Sequence, residues 1–98
     1  MAYDVIFKKA FNNRISNLLE YLEKEWNKEV ADDFLKKLDN RISTLRLYPF
    51  IGSPSRTVKD VRGILITKHN KLFYRVSGNK ILLLTLVDTR QNPKKNRY

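Results

Sequence analysis

The chain has no cysteine among its 98 residues. Disulfides, thiolate nucleophiles and cysteine-based zinc sites are therefore excluded. Long apolar runs are missing too. The longest, Ile81 to Leu84 and on through Thr85 to Val87, is far too short to span a bilayer. The opening stretch, MAYDVIFKKAFNNR, holds no apolar run long enough for a signal peptide. These absences lead us to expect a soluble, cytoplasmic protein with no membrane partner. The sequence has no internal repeat and no low-complexity tract. It also lacks a Gly-rich phosphate loop, an HExxH pair, a nucleophile elbow and an EF-hand loop, so no cofactor and no metal are expected. A length of 98 residues suits one small domain spanning 1–98, with a core that needs neither metal nor disulfide.

Acidic residues are scarce in one half only. The net charge is +10. Residues 1–52 carry nine Lys/Arg against eight Asp/Glu, whereas residues 53–98 carry eleven against two. Solubility alone does not require such segregation. Charge collected on one part of a fold points to a polyanionic or acidic partner.

The balanced half reads as a short strand and two helices. Tyr3 to Phe7 is β-prone. Phe11, Ile15, Leu18, Leu19, Leu22 and Trp26 then form one helical stripe, with Arg14, Asn17, Glu20, Glu23 and Lys24 opposite. This spacing places Trp26 in the core or between the helices. Asn27 breaks the pattern and suits an N-cap. A second stripe runs through Val30, Ala31, Phe34, Leu35, Leu38, Ile42 and Leu45, and Pro49 requires the helix to stop near Leu47. Residues 48–60, YPFIGSPSRTVKD, read as a loop.

The basic half reads as a three-stranded meander over 61–67, 71–77 and 81–88. Lys68-His69-Asn70 forms the first turn and Ser77-Gly78-Asn79-Lys80 the second. Strand 71–77 alternates, with Leu72, Tyr74 and Val76 on one face and Lys71, Phe73 and Arg75 on the other. Strand 81–88 is apolar on both faces, which marks a central strand. Something must cover its far edge, and strand 3–7 is the one available. The expected fold is α+β, β-α-α-β-β-β: a four-stranded, mostly antiparallel sheet in the order 1-4-3-2. A helical hairpin covers the Leu72/Tyr74/Val76 face, and the Lys71/Phe73/Arg75 face is partly open. Residues 88–98, DTRQNPKKNRY, form a basic tail that Pro93 keeps out of the sheet.

The element order, the YPFIG loop, the KLFYRV strand and the terminal DTRQNPKK closely resemble the RelE/ParE superfamily of toxins from type II toxin–antitoxin modules, also known as plasmid stabilisation proteins. The resemblance covers nearly the whole chain. It implies a bacterial growth inhibitor encoded with a cognate antitoxin. RelE-like members cut messenger RNA on the ribosome as metal-independent endoribonucleases (mRNA interferases), and ParE-like members poison DNA gyrase without catalysis. The first activity is the reading favoured here. A gyrase inhibitor and a non-toxic basic binding module are the alternatives.

Cleaving RNA through its 2′-hydroxyl needs a group to take that proton, cations to hold the developing phosphate charge, and an acid for the leaving 5′ oxygen. RelE-like enzymes use Lys, Arg and Tyr for this. By resemblance, Lys71 matches a catalytic arginine on the third strand and Arg90 the phosphate-binding arginine after the last strand. Arg62 matches one of two lysines on the second strand, the other position being Ile64. Asn96 stands where the catalytic tyrosine is expected, and Tyr98 lies two residues further on. The catalytic set expected is thus Lys71, Arg90, Arg62 and Tyr98. Arg75, Lys94, Lys95 and Arg97 are expected to contact nucleic acid. Phe73 is expected either to stack a base or to meet the tail or the antitoxin. His69 reads as a solvated turn residue, and Tyr74 as a core residue with a satisfied hydroxyl.

Overall fold

The structure, a computed structural model, describes residues 2–90 and residue 98. It contains β1 (Asp4–Phe7), α1 (Lys9–Glu25), α2 (Lys28–Leu47), β2 (Ser53–Pro54), β3 (Val61–Thr67), β4 (Asn70–Ser77) and β5 (Lys80–Asp88). The helices form where the two apolar stripes lie. Asn27 separates them and caps α2, its side-chain oxygen accepting from the Val30 N–H at 2.9 Å. Helix α2 ends at Leu47, just before the Tyr48-Pro49 step.

The five strands lie in the order β1-β5-β4-β3-β2. The four expected strands keep their order, but the sheet gains a fifth at its edge. Ser53 and Pro54, expected in a loop, pair antiparallel with Gly63 and Arg62. A proline fits there because an edge strand has one side free of ladder hydrogen bonds. The sheet is mixed: β1 runs parallel to β5, and the other pairings are antiparallel. Gly78, at φ +60°, and Asn79 make the two-residue turn between β4 and β5.

One face of the sheet meets the helices. Phe11, Phe34, Leu38 and Leu45 pack there on Ile66, Leu72, Tyr74, Ile81, Leu83 and Leu86. Burying each large aliphatic side chain in this layer contributes roughly 1.5–3 kcal/mol. Strand β5 keeps Ile81, Leu83 and Leu86 on this face although the last two are three residues apart. Between Phe73↔Thr85 and Tyr74↔Leu83 the pairing skips Leu84, so Leu84 is a bulge that restores the alternation.

Trp26 departs from its expected place. It is the C-cap of α1 and 69% exposed. The helical stripe ends at Glu25, and the turn to α2 carries the indole away from the core. Tyr74 meets its expectation. Fully buried, it donates from its hydroxyl to the Pro49 carbonyl at 2.8 Å and accepts from the Gly52 N–H at 2.9 Å. Burial raises its pKa above the usual phenol value, an effect partly offset by the Gly52 hydrogen bond and by Arg62. This side chain fixes the loop that leads into β2.

Candidate nucleic-acid interface

The second face of the sheet carries the candidate site. Residues opposite each other on antiparallel strands share a face. Gly63 is opposite Phe73, Leu65 opposite Lys71, and Val61 opposite Arg75. Lys71, Phe73 and Arg75 therefore lie together away from the helices, as the alternation of β4 predicts.

Phe73 is not an open platform. It is 2% exposed. The ring of Tyr98 lies against it, with centroids 5.2 Å apart and planes tilted by 33°. Of the two roles expected for Phe73, contact with the tail is the one seen. Lys71 extends over the same ring, its Nζ 5.4 Å from the centroid, in cation–π range. Gly63 makes room for both. A Cβ there would stand 2.5 Å from Lys71 Cε and 3.0 Å from the Phe73 ring. A glycine inside a strand signals such a close approach, and this one is legible in VRGILIT.

Lys71, Phe73 and Tyr98 line a cleft of about 610 Å³, walled by Ser55, Arg56 and Asp88 among others. Ser55 ties the wall to the end of the chain. Its hydroxyl donates to the Tyr98 carbonyl at 2.9 Å and accepts from the Thr57 and Val58 N–H groups at 3.2 and 3.1 Å. Tyr98, two residues out of register with the resemblance, thus reaches the cleft that holds Lys71. Arg56 adds a cation that the sequence reading passed over, because its loop carries no periodicity.

Two expected catalytic residues are not among those lining this cleft. Arg62 pairs with Tyr74, which places it on the helix side of the sheet. Its Nη1 donates to the carbonyls of Gly52 at 2.8 Å and Phe50 at 3.1 Å, and its guanidinium covers the Phe50 ring at 5.4 Å. Arg62 is a support for the loop into β2 and does not join Lys71. Arg90 stands at the end of β5 and is bound to Asp88. Its Nε donates to Oδ1 at 3.0 Å, its Nη2 to Oδ2 at 2.7 Å, and its backbone N–H to Oδ1 at 2.8 Å. These bonds hold the Asp88 carboxyl well below its usual range, at about 2, and raise the pKa of Arg90.

Arg75 turns to the loop before β3, where Nη2 lies 3.5 Å from the Lys59 carbonyl. Its buried Nε has no hydrogen-bond partner among the described residues. His69 sits in the β3–β4 turn, where its carbonyl accepts from the Thr89 N–H. Lys94, Lys95 and Arg97 lie outside the described residues, as does most of the basic tail. Among the described residues no group of three or more His, Cys, Asp or Glu could hold a metal ion, and no helix is long and apolar enough to cross a membrane.

A sequence model of the family described as the ParE toxin of the type II toxin–antitoxin system, parDE, matches residues 5–93. The chain belongs to this family. Solved structures agree on the fold. A chain from the chromosomal ParDE system of P. aeruginosa superposes with a TM-score of 0.76 at 16% identity, covering 89% of this chain and 96% of that one. The YoeB/ParE toxin from Agrobacterium tumefaciens gives 0.63 at 15%, covering 87% and 97%. The RelBE2 toxin–antitoxin complex of Mycobacterium tuberculosis gives 0.62 at 13%, covering 90% and 99%. A search of curated proteins finds no significant match. This ParE-family chain thus shares its architecture with the ParDE, YoeB/ParE and RelBE2 structures.

Proposed function

We propose that this ParE-family toxin is a metal-independent endoribonuclease that acts on messenger RNA engaged by the ribosome and is held inactive by a cognate antitoxin. The observation that carries this reading is the meeting of Lys71 and Tyr98 in one cleft, over a buried Phe73 and beside Arg56. In this mechanism the Lys71 ammonium and the Arg56 guanidinium stabilise the charge developing on the phosphate. The 2′ oxygen bonds to the phosphorus as its proton passes to solvent water, and the Tyr98 phenol supplies the proton to the 5′ oxygen that leaves as the P–O5′ bond breaks. An acidic antitoxin segment facing the basic half would associate quickly.

A second reading, a gyrase poison, draws support from a different observation. Arg62 and Arg90, two of the four residues expected to act on RNA, are committed to groups of their own chain. Cell-free translation with message ends mapped by primer extension separates the readings. Endoribonuclease action gives new cuts only when ribosomes engage the message, and Lys71→Ala and Tyr98→Phe each abolish them. Intact message, together with linear DNA accumulating in a gyrase supercoiling reaction, would replace the first reading with the second.

A further inference from the structure

The Arg90 guanidinium already has an anion. Its Nε and Nη2 meet the two oxygens of Asp88 at 3.0 and 2.7 Å, in the parallel fork that arginine offers a carboxylate. The same fork fits two oxygens of a phosphate. The residues are two apart at the end of β5, and the residue between them is anchored. Thr89 donates from its N–H to the His69 carbonyl and from its hydroxyl to the Lys68 carbonyl, both at 2.9 Å. Asp88 lines the cleft beside Lys71 and Tyr98. The Arg90 side chain is 67% exposed and that of Asp88 34%. An anion arriving from solvent therefore reaches this guanidinium, but finds it neutralised. Asp88 is one of only two acidic residues in positions 53–98, and this cleft-lining carboxylate is the one that holds the Arg90 guanidinium. A segment built only to attract polyanions gains nothing from a carboxylate there.

We propose that Asp88 is an internal anion that occupies the phosphate fork of Arg90 and must be displaced before a nucleic acid seats in the cleft. The proposal rests on the reading of the cleft as a nucleic-acid site. A single phosphodiester brings one negative charge to replace one carboxylate, so the exchange on its own is nearly balanced. A strand also held by Lys71 and Arg56 tips that balance. The Asp88–Arg90 pair thereby selects polymers, bound at several phosphates together, over mononucleotides and inorganic phosphate.

The test is a double-mutant cycle of wild type, Asp88→Asn, Arg90→Ala and the combined variant. Binding of a labelled oligouridylate is measured against salt, and the salt needed to elute each protein from heparin is recorded. With Arg90 present, Asp88→Asn should tighten oligouridylate binding roughly 3–10-fold and steepen the log–log salt slope by about 0.7, the increment for one added single-strand phosphate contact. With Arg90 removed, the same substitution should change affinity by less than about 2-fold. Melting temperatures check that each variant is folded, and Asp88→Ser replaces Asp88→Asn should the latter fail. An equal gain in both backgrounds would make Asp88 a general repulsive charge and overturn the proposal. Equal binding by wild type and Asp88→Asn would overturn it too. If heparin shows the Arg90-dependent gain while no variant binds oligouridylate, the internal anion stands and the RNA reading falls. If oligouridylate binds but the cycle is flat, the RNA reading stands and the internal anion falls.

Discussion

Replacing Tyr74 with phenylalanine tests whether the loop before β2 is held as the structure has it. The ring is fully buried and remains in Tyr74→Phe, so the packing term is nearly unchanged. What is lost is the hydroxyl, and with it one bond to the Pro49 carbonyl and one from the Gly52 N–H. Each partner left unpaired in a buried place costs roughly 1–3 kcal/mol. The loop lies at the surface and can relax toward water, which points to the low end for each and a total of about 2 kcal/mol. For a chain of this size that corresponds to a fall in melting temperature of roughly 8–16 °C. Urea unfolding followed by far-UV circular dichroism is the suitable assay, because Trp26 is too exposed to report on the core. A loss below about 0.5 kcal/mol would refute the reasoning. The Tyr74 hydroxyl also makes the stability depend on alkaline pH. Burial raises the Tyr74 pKa above its ordinary value of 10.0, so the fold prefers the neutral phenol. The stability this provides is intact below pH 10.0 and is lost as pH rises through the folded-state value. The gap between wild type and Tyr74→Phe should therefore narrow above that pH.

Two further outcomes follow from the cleft. Gly63→Ala places a methyl 2.5 Å from Lys71 Cε and 3.0 Å from the Phe73 ring, so it should displace Lys71 and reduce growth inhibition at least tenfold while the helical signal persists; full activity would refute the close approach. The Asp88 carboxyl, followed by NMR, should titrate near 2 in the wild type and return toward 3.8 in Arg90→Ala. Because its folded value is depressed, the pair's contribution is present above 3.8 and lost as pH falls toward 2, and an unchanged midpoint in Arg90→Ala would remove the pair.

The parts of the fold that repeat along the sequence were legible in it. The two helical stripes, the Asn27 cap, the Gly78-Asn79 turn and the central place of β5 all follow from local period or local turn chemistry. The parts that failed have no period. A two-residue strand such as Ser53–Pro54 is too short to show one. Trp26 continues a spacing of helical residues but stands one residue past the end of the helix, where that spacing no longer fixes a direction. In ILLLTLV every register looks apolar, so the bulge at Leu84 leaves no mark.

The candidate site was less legible, for a related reason. Alternation fixes which side chains of one strand share a face, and it placed Lys71 with Phe73. It does not fix how two strands pair. That depends on the β3–β4 turn, where the register shifts between Leu65 and Thr67. The outcome sets Arg62 opposite Tyr74 and Gly63 opposite Phe73, so the arginine goes to the helix side and the glycine opens space for the lysine. Tyr98 depends on contacts still longer in range, with Phe73 and Ser55. Motif spacing counted Tyr98 as out of register, yet a side chain at the end of a tail is placed by what it packs against. In this fold the candidate site is therefore assembled by cross-strand register and by one aromatic contact. Residues matched by position alone, as Arg62 was, must be checked against the face they occupy before a role is assigned to them.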